Sequence, residues 1–188
     1  MYFEGVYENS TVYVNGKLAG GHPYGYSSFF VDITPYLKSG NNEIEVVADN
    51  SRQKNCRWYS GSGIYRNVWL TTTGKLHIAN HGVSVVTPEL NEAVIGVKID
   101  NESDKNEDVT LVVDVAGVSA SETLSLQAGT TGEVKIPLSV PGAEPWSPDS
   151  PSMYEAKIKV LLSGKIVDEI VQPFGFRTIG YSAKEGFM

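Results

Sequence analysis

The sequence predicts an all-β protein whose second half is an immunoglobulin-like sandwich. Three observations carry that expectation. Apolar and polar side chains alternate over short runs, the period of a half-buried strand, and Gly, Pro, Asn and Ser clusters punctuate the runs. Val and Thr are frequent, Gly reaches 19 and Tyr 10 of 188 residues, and no long Ala/Leu/Glu/Lys stretch occurs, a mixture that favours strands and turns over helices. After Gly74, seven such runs follow one another at spacings of roughly 8–14 residues, the signature of a seven-stranded sandwich.

In chain order, residues 2–15, YFEGVYENSTVYVN, alternate in their second half: Thr11, Tyr13 and Asn15 fall on one face, Val12 and Val14 on the other. Asn15-Gly16 is a hairpin signal because both residues tolerate positive φ, so KLAGGH should return antiparallel. SSFFVDI reads as a further strand. Pro35 lies just inside a possible single turn with Thr34 expected as its cap. NEIEVVADN and IYRNVWLTTT complete the first segment with strands. The seven runs of the second half are LHIANHGVSVVTP, AVIGVKIDN, VTLVVDVAG, ASETLSLQ, TGEVKIPLSV, YEAKIKVLLSG and KIVDEIVQPFGF. The Cys pair and buried Trp of antibody domains are absent, so the architecture is implied without that family. Most aromatics lie in residues 1–75, which read as a ligand-facing module; residues 76–176 are aliphatic and plain, like a spacer.

A net charge of −7 argues against nucleic acid and anionic membrane surfaces, which are held by Lys and Arg. No run of 18 apolar residues occurs, so no spanning helix is expected. The single Cys56 excludes an intrachain disulfide and leaves the compartment open.

The candidate chemical motifs are weak. Ser62 lacks the flanking glycines of a nucleophile elbow, since Ser60 and Ile64 occupy those positions; a tight loop with Gly at positive φ is the better reading. His77 and His81 would be about 13 Å apart on a strand, too far to share an ion. The run DNESDKNED, residues 100–108, has Lys105 and Leu111 where a calcium loop needs Gly and Glu, and reads as a solvated connection. Glu43 and Glu45 share one strand face and do not oppose each other across a sugar. No metal and no cofactor is expected. The aromatic set Tyr24, Tyr26, Trp58, Tyr59 and Tyr65 differs: with Asn50, Asn55, Arg52 and Arg57 nearby, it offers ring faces for sugar C–H groups and planar polar partners for hydroxyls. The same set would equally serve as an aromatic core layer between two sheets.

FEGVYENSTVYVNGK, GYSSFFVDITPYLKSGNNEIEVVADN and RWYSGSGIYRNVWL together resemble the sugar-binding domain of glycoside hydrolase family 2, the family of β-galactosidases, β-glucuronidases and β-mannosidases. PWSPDSPSMYEAKIKV and FGFRTI resemble that family's immunoglobulin-like second domain and its exit strand. The five motifs occur in order over nearly the whole chain. The resemblance implies a partial jelly-roll β-sandwich over residues 1–75, an immunoglobulin-like β-sandwich over residues 76–176, and a linker toward a catalytic TIM barrel over residues 177–188. It implies that strands preceding FEGVY are missing, so that an open edge near residues 2–15 would be covered by a partner chain or by an altered strand order.

The resemblance places both catalytic glutamates in the barrel, so no catalytic residue is expected in this chain. The loop over residues 51–63 would lean over the barrel mouth, with Arg57, Trp58 and Tyr59 facing the sugar. Gly61, Gly63, Ile64, Tyr65 and Arg66 match a signature read as structural: a tight loop, a buried aliphatic and an Arg tying the loop to its neighbours. One β-galactosidase branch carries a carboxylate where Arg57 stands, which leaves the substrate class open. Trp146, Pro148 and Tyr154 read as a corner of the second domain. The implied partners are a terminal β-linked sugar, the barrel of the same parent chain and, through exposed sheet edges, a second copy. The parent would be a retaining exo-glycosidase, a β-galactosidase first of all. The rival readings are a stand-alone carbohydrate-binding module and an adhesion or spacer module.

Overall fold

The computed structural model describes residues 1–51 and 59–187. It divides into two compact units, Met1–Thr72 and Thr73–Met188. Both are built from antiparallel strands, and the one helical element among the described residues is a 3₁₀ turn.

The first unit comprises β1 (Tyr2–Phe3), β2 (Val6–Tyr7), β3 (Ser10–Val14), β4 (Lys17–His22), β5 (Phe29–Phe30), the 3₁₀ turn Thr34–Tyr36, β6 (Ile44–Ala48), β7 (Gly63–Ile64) and β8 (Val68–Trp69). They pair as β5-β1-β8, β4-β3-β6 and β2-β7. Residues 2–15 therefore break into three short strands where the alternating pattern suggested a longer element. Of these, β1 and β3 are each flanked on both sides by strands of the same chain, whereas β2 pairs on one side, with β7. Alternation along β3 sends Val12 and Val14 inward, where they join Phe3, Val6, Phe29, Val31 and Ile33 in one core.

Asn15-Gly16 makes the expected hairpin, with φ of +52° and +76°. The Asn15 side chain does more than turn the chain. Its amide nitrogen donates to the Tyr36 carbonyl and to Asn42 Oδ1, each at 2.9 Å, and its oxygen accepts from the Glu43 amide at 3.1 Å. The hairpin and the segment carrying the 3₁₀ turn are thereby locked together.

Thr34 is not the cap of that turn but its first residue. Ile33 stands at the cap position without a side-chain bond, and Asp32 Oδ1 accepts from the Thr34 amide at 2.9 Å. Hydrogen bonds from the Thr34 side chain and amide hold the Asp32 carboxyl below its ordinary value, because they favour the charged form.

The second unit holds the seven expected strands: β9 (Leu76–Glu89), β10 (Glu92–Asn101), β11 (Glu107–Val115), β12 (Val118–Leu126), β13 (Thr130–Ser139), β14 (Tyr154–Leu162) and β15 (Lys165–Phe174). A three-stranded sheet, β13-β10-β9, and a four-stranded sheet, β12-β11-β14-β15, form the sandwich. The fourth strand pairs with the third, so it lies on the larger sheet with the sixth and seventh.

Every second residue points inward. Ile95, Val97 and Ile99 of β10, Val109, Leu111, Val113 and Val115 of β11, and Ala156, Ile158 and Val160 of β14 are fully buried. Each such Val, Leu or Ile contributes on the order of 1.5–3 kcal/mol relative to exposure, which is why this plain aliphatic half makes a solid core. At one side of the sandwich, Asp168 of β15 accepts from the Ile78 amide of β9 at 2.8 Å, satisfying a donor that no neighbouring strand reaches.

Trp146 occupies the expected corner. Its amide donates to the Phe176 carbonyl at 2.8 Å, it bridges to Pro151, and the Arg177 guanidinium lies 4.9 Å from its ring centroid. A Cβ on Gly175 would come within 2.7 Å of Trp146 Cβ, so only glycine lets the corner close. Beyond Arg177 the chain forms a small hairpin of β16 (Tyr181–Ser182) and β17 (Gly186–Phe187).

Candidate functional site: an aromatic recess in the first unit

The short strands of the first unit gather four tyrosines around one recess. Tyr7, Tyr26, Tyr59 and Tyr65, with the Ser60–Gly63 segment, line a volume of about 290 Å³. That lies at the small end of ligand pockets, matched to a single ring-sized molecule.

Two strand pairings put the loop where it can form a wall. Tyr7 pairs with Gly63 and Val6 with Ile64, joining β2 to β7. Gly63 adopts φ +106°, a value open to glycine but not to a side-chain-bearing residue without strain. Tyr65 then folds back over the backbone of Gly5. Its amide donates to the Gly5 carbonyl at 3.3 Å, and a Cβ at Gly5 would lie 2.6 Å from its ring. The Tyr65 hydroxyl donates to the Gly25 carbonyl at 2.7 Å. Gly25 also lies against the Tyr7 ring, where a Cβ would be 2.3 Å from Cδ2. Tyr26 meets Tyr7 edge-on, centroids 5.3 Å apart, and Tyr24 meets Tyr26 edge-on at 5.7 Å. These are favourable quadrupole geometries and they fix the ring orientations.

The described members of the aromatic set do not form a buried core layer. Tyr24, Tyr26 and Tyr65 are each about half exposed and Tyr59 is fully exposed. Tyr59, one of the three residues assigned to sugar contact, lines the recess. Arg57 and Trp58 lie outside the described residues, as do Arg52 and Asn55. Tyr24 touches Tyr26 without reaching the recess. Tyr7 was not singled out by sequence. It is buried at the back of the recess, and only the long-range pairing with Gly63 puts it there.

Two signature residues behave differently from expectation. Ile64 was expected to be a buried aliphatic but is 50% exposed, because its two-residue strand lies at the rim. Arg66 was expected to tie the loop to its neighbours; among the described residues its guanidinium has no partner, and it lines a separate polar cleft. The tying is done by Tyr65.

The other candidate motifs are structural. His77 is buried on β9 with Nε2 3.9 Å from Asp100, while His81 lies within the irregularity of that strand, between Ile78 and Val83, with φ +53°. In the acidic run, buried Asn101 donates to the carbonyls of Lys105 and Gln127 and organises the connection. Glu43 and Glu45 are solvent-facing.

Among the described residues, no Asp or Glu lines the aromatic recess. Acid hydrolysis of a glycosidic bond requires two carboxyl groups flanking it. What the recess offers is ring faces and hydroxyl or backbone polar groups.

Family models match both parts of the chain. The family model for the sugar binding domain of the glycosyl hydrolases family 2 matches residues 1–74, and the model described as glycosyl hydrolases family 2 matches residues 76–177. The β-galactosidase BoGH2A of Bacteroides ovatus is 41% identical over 98% of this chain, which spans 23% of that protein. A β-glucuronidase of Bacteroides fragilis is 32% identical over 98% of this chain, which spans 30% of that relative. The crystal structure of a family 2 member from Bacteroides cellulosilyticus superposes over the full chain with a TM-score of 0.94 at 32% identity, and 27% of that structure is covered. The chain thus spans about a quarter of the length of the relatives it matches.

Proposed function

This chain belongs to family 2 of the glycosyl hydrolases, and we propose that it is a non-catalytic region of a larger family 2 enzyme, a β-galactosidase first of all. In this reading the first unit contacts the sugar and shapes its subsite, and the second unit supports the catalytic barrel. The observation that carries it is the tyrosine-lined recess without a carboxylate. Tyr59 presents a freely exposed ring at its mouth, Tyr7 and Tyr26 form its back, and Tyr65 holds the wall in place. Arg57 and Trp58, adjoining Tyr59 in sequence, complete the sugar-facing set. Self-association through the remaining sheet edges belongs to the same proposal.

Two measurements on the chain test it. With nitrophenyl β-galactoside it should show no turnover above the uncatalysed rate. Calorimetric titration with galactose, glucuronate and mannose should give millimolar binding of one sugar, weakened in Tyr59→Ala. Turnover by the chain itself, or sugar binding indifferent to Tyr59, would refute the reading.

A further inference from the structure

Asn15-Gly16 is the one Asn-Gly pair in the sequence. It makes the two-residue turn between β3 and β4, where Val14 pairs with Lys17. The pair carries a chemistry of its own. The backbone nitrogen that follows an asparagine can attack the side-chain amide carbon and close a succinimide ring. Glycine hinders that attack least, because it has no side chain and the widest backbone freedom. Gly16 is exposed, and a Cβ built on it would meet nothing within 4 Å, so water reaches the turn.

The fold holds the reacting amide away from that path. Both amide protons of Asn15 are engaged, one by the Tyr36 carbonyl and one by Asn42 Oδ1, each at 2.9 Å. Its oxygen accepts from the Glu43 amide at 3.1 Å, and its own backbone amide donates to the Glu43 carbonyl at 2.8 Å. Asn42 is fixed in turn: its oxygen accepts from the Lys38 amide at 2.8 Å, and its amide group donates to the Lys38 and Gly40 carbonyls. The nitrogen that must leave Asn15 is the one bonded to Tyr36 and Asn42, so the reaction cannot finish without releasing both. The lock also works only for an amide. A carboxylate has no proton to give, and at position 15 it would face two acceptors, the Tyr36 carbonyl and Asn42 Oδ1.

We propose that Asn15 is a self-modification site restrained by the fold, a one-way latch whose conversion to aspartate or isoaspartate frees the β3–β4 hairpin from the segment carrying the 3₁₀ turn. The Gly16 amide gives its proton to water and its nitrogen bonds to Asn15 Cγ. The Cγ–Nδ2 bond breaks, and ammonia leaves with a proton taken from water. Water then opens the ring at one of its two carbonyls. One gives aspartate; the other gives isoaspartate, with the side-chain carbon inserted into the main chain of the turn. One water is consumed, one ammonia is released, and nothing is oxidised or reduced. Each conversion starts from a locally opened state, so its rate follows the population of that state.

The test is peptide mapping by mass spectrometry of the full chain, incubated at mildly alkaline pH and one temperature, folded and in urea. In urea, Asn15 should convert faster than every other asparagine. In the folded chain it should convert about tenfold more slowly, or slower still, because opening must come first. Asn42→Ala removes one partner and should restore part of the lost rate. Asn15→Asp imitates the product and should lower the melting temperature of the first unit while leaving that of the second unchanged. A different asparagine leading in urea would overturn the site. Equal rates with and without urea would overturn the lock, and this comparison needs no variant. A folded Asn42→Ala chain that converts no faster would overturn the hydrogen-bond network as its cause. An Asn15→Asp chain that melts as the parent does would overturn the release of the hairpin.

Discussion

Tyr65 and Gly25, forty residues apart, are joined by a 2.7 Å hydrogen bond from the phenol to the backbone carbonyl, and that bond closes one wall of the aromatic recess. Gly25 is pressed on its other side by the Tyr7 ring. Three of the unit's aromatic and loop segments therefore meet at one residue that has room for no side chain.

Breaking that bond should loosen the recess more than the fold. Tyr65→Phe keeps the ring over Gly5 and removes only the hydroxyl, so the expected loss is about 1 kcal/mol in denaturant unfolding. Sugar affinity should fall further than stability does. A variant that binds as the parent does would show that the wall is not needed.

Gly25→Ala should cost more, on the order of 1–3 kcal/mol, because the added methyl would overlap the Tyr7 ring and the backbone cannot yield without losing the Tyr65 bond. Thermal unfolding followed by tyrosine fluorescence reads this directly.

In the second unit, Leu111 is fully buried at the middle of β11. Leu111→Ala should destabilise that unit by about 2–5 kcal/mol through lost burial and the cavity left behind. Sugar binding at the first unit should be unchanged wherever the variant remains folded. Calorimetric melting paired with a binding titration checks both halves of this expectation.

At the Trp146 corner, Arg177→Ala should remove a cation–π contact worth about 0.5–1 kcal/mol. Gly175→Ala should be worse, since the new Cβ would fall within 2.7 Å of Trp146 Cβ. The order of the two melting temperatures is the readout.

Acid should weaken the first unit through Asp32. Its carboxyl titrates below the ordinary value of 3.8 in the folded chain, held there by Thr34. A depressed acid stabilises the fold fully above the unfolded value, and that contribution disappears as pH falls through the folded one. Asp32→Asn should therefore flatten the stability profile of the first unit at its acid end, which unfolding measured across pH 2–5 would register.

Much of the fold was legible because local periodicity and burial coincide in the second unit. Val109 to Val115 alternate in sequence and alternate in burial along β11, and the seven runs became seven strands. The first unit was less legible because five of its strands are only two residues long and too short to show a period, whereas β3 alternates as read. Asn15-Gly16 was readable from local chemistry alone. Gly25 was not: its backbone angle is not unusual, and the need for glycine comes from the Tyr7 ring packed against it. Tyr59 could be chosen as an exposed loop aromatic, whereas Tyr7 enters the site only through its pairing with Gly63. Ile64 and Arg66 were misplaced because a motif conveys residue types and not which side of a rim each one faces.

The most direct test of the central claim is chemical-shift mapping of galactose on the chain, with Tyr59→Ala as the control. The account predicts shifts concentrated at Tyr59–Tyr65 and around Tyr7 and Tyr26, none in the β9–β15 sandwich, and their loss in the variant. Shifts centred on the sandwich, or none at any attainable galactose concentration, would contradict it.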